Sequence, residues 1–243
     1  TKNRLMSKPH LILGQHAFIT DGEHGSVDFV DDGVKYLTAE NVQEGFINAS
    51  DVRLVSDVVD RRNRRASLLK DDVVISIKGT VGLAAITFSE DLPANMNRDV
   101  SRIHIKDSIN PFYLVAFLNS KLGKNQTLRE SSGNVQQMTT LGRLRELLIP
   151  VVSDKFVNEI QQLINSSRNE LNDSKNLYQQ AEELLLEELG LKNFKTEDDL
   201  SFVVNLSNIK EANRVDAEYF QPKYNKLIAK IKDQNAKMLC DLV

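Results

Sequence analysis

Hydrophobic positions in the first 150 residues occur in short runs separated by polar turns. The segments VKYLT (34–38) and DVRLV (51–55) are typical of strands that lie between acidic and glycine-containing turns. In DDVVISIKGTVGLAAITF, Val73, Ile75 and Ile77 share one face at a period of two, and LAAITF returns after the glycines of KGTVG. This pattern predicts a β-hairpin.

The remainder of this part mixes strand and helix. SRIHIK is predicted to be a strand, and NPFYLVAFLNSKLG a helix with Pro111 in its first turn and Gly123 at its end. LGRLRELL predicts a short helix, and LLIPVV a final extended segment.

A different pattern begins at Ser153 and continues to Gly190 without an intervening proline or glycine. Apolar residues recur every seven positions, and small residues occupy much of the complementary heptad position. This spacing predicts one helix, on the order of 50 Å long, that packs along its length against another helix. The predicted packing or dimerisation positions are Val157, Ile160, Ile164, Leu171, Tyr178 and Leu185.

The tail begins with LKNFKTEDDL and SFVVNLSNIK, which we expect to form a loop and a short strand, and a helical pattern follows Pro222. The fold class is therefore α+β: a mixed globular domain, a long coiled-coil-like α-helix and a second short α/β segment. The predicted boundaries are 1–152 for the globular domain, 153–190 for the spacer or dimerisation helix, and 191–243 for the tail.

Composition narrows the class of protein. Apolar residues make up 41% and charged residues 27% of the chain, which is typical of a globular protein. A single cysteine, Cys240, excludes an intramolecular disulfide and favours a reducing cytoplasm; no apolar run is long enough for a membrane span. Residues 1–150 carry 19 basic and 18 acidic residues, so bulk charge alone does not predict binding to a polyanion.

Four segments, in order, resemble the DNA-specificity subunits of type I restriction-modification systems. ITDGEHGSVDF resembles the opening loop of their target recognition domain, and DDVVISIKGTVGLAAI its glycine-containing hairpin. SSGNVQQMTTLGRLRELLIPVV with the long helix resembles the exit into the spacer helix, and RVDAEYFQPKY the opening of the next recognition domain. Together these segments cover nearly the whole chain.

The resemblance implies a subunit that reads DNA and has no catalysis of its own. Two recognition domains, braced by two antiparallel helices, would each read half of a split site. The implied partners are double-stranded DNA, methyltransferase subunits that use S-adenosylmethionine, and a restriction subunit; this chain itself needs no cofactor. It contains one recognition domain and one long helix, so we expect a fragment or a natural half-subunit that pairs as a homodimer.

The residues that precede the long helix suggest how bases are read. Asn and Gln side chains can bond bidentately to the N6/N7 edge of adenine. Asn134, Gln136 and Gln137 are therefore candidates for base contacts, although a solvated loop turned by Gly133 is an alternative of equal weight.

Other candidates for DNA contact lie in basic or glycine-containing turns. Four arginines within five positions form a local basic patch that suits phosphate groups, and the hairpin turn and the first loop add further polar side chains. A wet surface or an ordinary turn is the alternative in each case, and no second spaced ligand accompanies His24 to form a metal site. These candidates are Arg61, Arg62, Arg64, Arg65, Lys78, Thr80 and His24.

Enzymatic motifs are incomplete. NPFY (110–113) lacks the second proline of an adenine methyltransferase motif, and no glycine-rich cofactor loop follows a strand. We therefore predict a non-catalytic DNA reader. Two alternatives stay open: a specificity domain from a fused restriction-modification enzyme, and a helix-mediated protein scaffold that does not bind DNA.

Overall fold

A computed structural model describes residues 9–129, 138–195 and 201–233. The chain divides into two compact units, residues 1–169 and 170–243. The first unit contains the mixed domain and the start of the long helix, and the second contains the rest of that helix and the tail. The observed elements confirm the predicted α+β class.

The strands of the first unit are short. In chain order they are β1 (His10–Ile12), β2 (Ala17–Asp21), β3 (Phe29–Val30), β4 (Val34–Leu37), β5 (Arg53–Val55), β6 (Val73–Ser76), β7 (Ala84–Ile86), β8 (Ala94–Met96), β9 (Val100–Ile105) and β10 (Leu148–Pro150). Its helices are α1 (Leu13–His16), α2 (Asp57–Arg62), α3 (Pro111–Asn119), α4 (Lys121–Arg129), α5 (Leu141–Arg145) and the first turns of α6 (Asp154–Glu188).

Two four-stranded sheets form the frame of this unit. The first has the order β2-β9-β6-β7 and is antiparallel throughout, so the predicted β6–β7 hairpin is confirmed. The second has the order β3-β5-β4-β8, and its β4–β8 pair is parallel. β1 pairs with β10, which brings the two ends of the domain together.

The β6 strand is buried on both faces. Val73 and Ile75 pack into an apolar cluster that includes Leu114 of α3, whereas Val74 packs into a second cluster with Met96 of β8. The first sheet therefore lies between two cores, and apolar burial on both sides fixes its register.

The helix after Pro111 ends earlier than predicted. Asn110 caps it, because its side chain accepts the backbone N–H of Phe112 at 2.9 Å, and α3 ends at Asn119. Gly123 lies inside α4, and a Cβ there would come within 2.2 Å of the Phe117 carbonyl oxygen. The glycine thus permits close helix packing and does not end a helix.

The long helix α6 covers nearly the predicted range. In its first turns Val157 and Ile164 pack against the core of the mixed domain, so these two predicted helix-packing positions contact their own domain. Ile160 and Leu171 are partly buried, whereas Tyr178 is 79% exposed and Leu185 is 58% exposed. The apolar stripe thus has two environments along one helix.

The second unit contains α7 (Leu206–Ala212) and α8 (Pro222–Lys232) after the end of α6. The short strand expected in SFVVNLSNIK is wrong, because its second half is α7 and no residue of 201–233 is in a strand. Pro222 is the first residue of α8, where its missing N–H leaves no helical bond unmade. None of the helices in the described parts of the chain is long and apolar enough to cross a membrane.

Candidate nucleic-acid interface

An open cleft of about 460 Å³ lies where the first loop, the β6–β7 turn and the end of β8 meet. A second hollow of about 440 Å³ shares three of its lining residues and adds Glu23. We call this region, together with Arg62 and Arg65, which contact its carboxylates, the charged cleft. The charged and titratable residues that line it are Asp21, Glu23, His24, Tyr36, Lys78, Arg98 and Asp99.

The first loop is held against the end of β8 by backbone contacts. Glu23 N–H donates to the carbonyl of Met96 at 3.0 Å, and Arg98 N–H donates to the carbonyl of Glu23 at 2.9 Å. A Cβ on Gly22 would lie 2.0 Å from the Met96 carbonyl oxygen. Only glycine fits this approach, so Gly22 lets the loop bring its acidic residues to the cleft.

The predicted basic patch divides into two pairs. Arg62, at the end of α2, reaches Glu23 at 3.4 Å, and Arg65 reaches Asp21 at 3.3 Å and the Thr20 hydroxyl at 3.1 Å. Arg61 and Arg64 are exposed on the same segment. Arg62 and Arg65 therefore join the charged cleft, whereas no described contact ties Arg61 or Arg64 to it.

Buried polar groups hold the backbone of the segment that carries the four arginines. Arg102 of β9 donates to the Arg65 carbonyl at 3.2 Å and to the fully buried Asp72 at 2.6 Å. The buried Asn95 donates its side-chain amide to Asp60 of α2 at 2.7 Å. These bonds fix the backbone, so the exposed guanidinium groups project from a rigid base.

Lys78 and Thr80 lie in the turn between β6 and β7. The Lys78 ammonium is 3.7 Å from Asp99, whereas Thr80 is exposed and its carbonyl accepts a hydrogen bond from the Ser76 hydroxyl. Gly79 and Gly82 have φ values of 78° and 94°, which glycine adopts without strain. The turn is therefore built to bring Lys78 to the cleft.

His24 completes the cleft as a hydrogen-bond partner. Its Nε2 lies 2.8 Å from the Asp21 carboxylate, and no cluster of three metal-ligating side chains occurs within the described ranges 9–129, 138–195 and 201–233. Close by, the backbone N–H of Gly25 donates to Glu23, and with the nearby Arg62 this lowers the pKa of the Glu23 carboxyl. These contacts thus favour the negatively charged form of Glu23.

The predicted base-reading residues Asn134, Gln136 and Gln137 lie outside the described residues. The chain that follows them is described, and it enters at the charged cleft. The backbones of Met138 and Lys78 pair in an isolated antiparallel β-bridge, and Thr139 N–H donates to the Ile77 carbonyl at 2.9 Å. Residues 138–141 also form part of the cleft wall.

Sequence reasoning missed Arg98, Glu23 and Asp99. Arg98 and Asp99 lie two and three residues after the end of β8, just before β9. In these segments basic residues stand beside acidic ones, so neither kind of charge forms a run. Looking for clusters of basic residues therefore does not find them. The signal that was available is the position of charged residues shortly after a buried strand.

Comparisons with known proteins place this fold in a class. No protein-family model matches the chain. The fold resembles that of the type I restriction-modification S subunit from M. genitalium, at a TM-score of 0.52 and 16% identity over 75% of this chain and 44% of that one. It also resembles the type IIG restriction endonuclease BpuSI, at a TM-score of 0.51 and 10% identity over 68% of this chain and 27% of that one.

A sequence relative narrows the class. The type I restriction enzyme EcoBI specificity subunit from Escherichia coli is 25% identical over 134 residues, which are 55% of this chain and 28% of the relative. The chain thus spans less than half the length of each of these proteins. The resemblance inferred from the sequence is confirmed: the chain is similar to one recognition domain and spacer helix of a type I specificity subunit.

Proposed function

We propose that this chain is a non-catalytic DNA-reading subunit, or half of one, that directs an adenine methyltransferase and a restriction subunit to a bipartite site. The observation that carries the proposal is the grouping of four basic side chains at one open cleft: His24 and Lys78 line it, and Arg62 and Arg65 contact its carboxylates. These residues come from three distant segments of a chain that is similar to specificity subunits.

The charges of the cleft suit selective binding better than indiscriminate binding. Its cations Arg62, Arg65 and Lys78 each lie within 4 Å of a carboxylate, which offsets much of their attraction for phosphate. Affinity would then depend on contacts with base edges as well as on the DNA backbone. This explains how a nearly neutral domain can still read DNA.

Base reading by the amide residues stays part of the proposal on sequence grounds. Asn134, Gln136 and Gln137 have the side chains that pair bidentately with adenine. The described chain resumes at Met138, which pairs with Lys78 in an isolated β-bridge. A duplex that contacts the cleft would therefore pass close to the residue that follows them.

The long helix would fix the distance between two half-sites. It is 35 residues long, which corresponds to about 52 Å at 1.5 Å per residue. Its distal exposed apolar residues suit packing against a second helix, supplied by another copy or by a longer chain. These residues are Leu177, Tyr178, Leu184 and Leu185.

The test compares the methylomes of source cells with and without the gene, in cells that express the partner methyltransferase. We expect a bipartite motif with methylated adenine to disappear when the gene is deleted and to return when it is restored. An unchanged methylome, with the methyltransferase present, contradicts the proposal.

A second candidate is a recognition domain of a fused restriction-modification enzyme, and the shared fold with the type IIG endonuclease favours it. The gene distinguishes the two candidates, because a fused enzyme encodes its methyltransferase in the same open reading frame. A protein scaffold without DNA binding would leave the methylome unchanged.

A further inference from the structure

A buried arginine joins the long helix to the mixed domain. Arg168 is 8% exposed and is the only buried residue of α6, every residue of which is described. Its Nε donates to the Glu90 carboxylate at 2.9 Å, and its Nη2 to the Asp91 carboxylate at 3.0 Å. The guanidinium group also lies over the Phe88 ring, 5.0 Å from its centre. We call these four residues the helix anchor.

The anchor continues a face of the helix that already contacts the domain. Val157, Gln161, Ile164 and Arg168 follow one another at intervals of three or four residues, so they share one side of α6. Val157 and Ile164 pack on the core, and Gln161 accepts a hydrogen bond from the Asn110 side chain at 2.9 Å. Arg168 is the last of these contacts and the one farthest from the start of the helix.

The domain side of the anchor is rigid. Asp91 accepts the backbone N–H of Phe88 at 2.8 Å through the oxygen that does not contact Arg168, so the carboxylate is fixed from both sides. The Phe88 ring packs edge-on against Phe112 at 6.3 Å, within the first apolar cluster. A movement of the helix must therefore break charged hydrogen bonds that water does not readily replace.

One short segment connects the anchor with the charged cleft. The turn that holds Glu90 and Asp91 leads directly into β8, and β8 ends at the residues that carry Arg98 and Asp99 into the cleft. Pairing with β4 fixes the middle of this segment, Ala94–Met96. The two carboxylates of the anchor and two charged residues of the cleft thus lie within one segment of ten residues, 90–99.

We propose that Arg168 is a positioning residue that fixes the direction of the spacer helix relative to the DNA-contacting surface, and so restricts the gap between half-sites to one length. The inference rests on the proposed function. With Ile164 still packed on the core, about 36 Å of helix follow it, and a tilt of about 5.5° there moves the far end by roughly 3.4 Å, which is one base-pair step. Small losses of rigidity would therefore change the gap.

The experiment is a methylome of cells that express variants of the full chain with the partner methyltransferase and without restriction activity. The main variant combines Arg168→Met with Asp91→Asn, which removes both charges and leaves no buried ion without a partner. The amide introduced at position 91 still offers an oxygen to the Phe88 N–H. The matched control is Lys124→Met with Glu44→Gln, which removes an ion pair outside the anchor and the cleft.

We expect the main variant to keep the wild-type half-site sequences and to methylate sites whose gap is one base pair longer or shorter. The control should methylate only the wild-type gap. Arg168→Lys keeps the charge but presents a single ammonium group to two carboxylates, so it should broaden the gap less. If the double variant does not accumulate as folded protein, Arg168→Lys decides the question.

The outcomes separate the two proposals. A wild-type gene that produces no bipartite motif contradicts the proposed function itself. The positioning role alone is contradicted if the wild type methylates a motif with one gap and the folded anchor variants either keep that gap or simply lose methylation.

Discussion

Arginine–carboxylate pairs occur in two regions of the first unit that differ in their exposure to water. In the charged cleft, the side chains of Arg62 and Arg65 are 59% and 51% exposed, and they meet Glu23 and Asp21 at 3.4 and 3.3 Å. In the helix anchor, Arg168 is 8% exposed and meets its two carboxylates at 2.9 and 3.0 Å. The same chemical groups thus form loose pairs in one place and a tight pair in the other.

The carboxyl groups respond to this difference in opposite directions. A backbone hydrogen bond from Gly25, together with Arg62, lowers the pKa of Glu23, whereas burial raises the pKa of Asp91 despite the nearby Arg168. Exposed pairs can exchange partners at little cost, but a buried pair that loses one member leaves a charge without water. The cleft pairs therefore suit an encounter with DNA, and the anchor suits a permanent joint.

The largest expected effect comes from breaking the anchor on one side. Arg168→Ala should lower the free energy of unfolding by about 3–5 kcal/mol, because Asp91 stays buried without its partner. Arg168→Met with Asp91→Asn should stay much closer to the wild type. Urea denaturation followed by circular dichroism measures both, and equal losses in the two variants would contradict the role assigned to the buried charge.

A smaller effect is expected from the cations of the cleft. Arg62→Ala with Arg65→Ala should weaken DNA binding by the assembled complex and flatten the plot of log K against log salt by about 0.9 for each phosphate that these side chains neutralise. Lys124→Ala is the control, since Lys124 pairs with Glu44 outside the cleft. A slope that is unchanged in the double variant would remove these arginines from the interface.

Removing a carboxylate of the cleft should have the opposite effect on DNA binding. Asp21→Asn frees Arg65 from its ion pair, so we expect tighter binding to unrelated DNA and a salt plot steeper by at most about 0.9. Discrimination between the correct and an unrelated site should fall. Glu44→Gln changes the charge equally at a distant pair and should alter neither quantity; an equal effect there would show that only net charge matters.

The smallest effect concerns stability and pH. The pKa of Glu23 is lower in the folded protein than its ordinary value of 4.5, chiefly because Gly25 N–H donates to it and also because Arg62 lies nearby. These contacts therefore stabilise the fold above about pH 4.5 and lose this contribution as the pH falls through the lower value. Glu23→Gln should therefore cost up to about 1 kcal/mol at pH 7. The difference from the wild type should vanish in strong acid. Thermal denaturation across this range tests it, and a difference that persists in acid would contradict the assignment.

Local patterns predicted the elements whose formation depends on neighbouring residues. The β6–β7 hairpin follows from alternation and glycines, and α6 from heptad spacing without a helix breaker. The segment SFVVNLSNIK was harder, because three adjacent apolar residues suit a strand while the next residues form a helix after Asn205. Short apolar runs carry little information about periodicity.

Contacts between distant segments could not be predicted in the same way. The parallel pairing of β4 with β8 joins residues about 60 positions apart, and it is this pairing that carries Arg98 into the cleft. Arg168 was missed because heptad analysis follows apolar residues, whereas the anchor is a charged residue on the domain-facing side. Its importance depends on two acidic partners 77 and 78 positions earlier.

The position of Arg168 has a consequence for the design of chimeric chains. A crossover at residue 152, the predicted end of the mixed domain, would graft Arg168 onto a foreign turn that lacks Glu90 and Asp91. A crossover after residue 169 would transfer the arginine together with its acidic partners. The segment to transfer intact in a chimera is therefore the globular domain plus the first four turns of its helix.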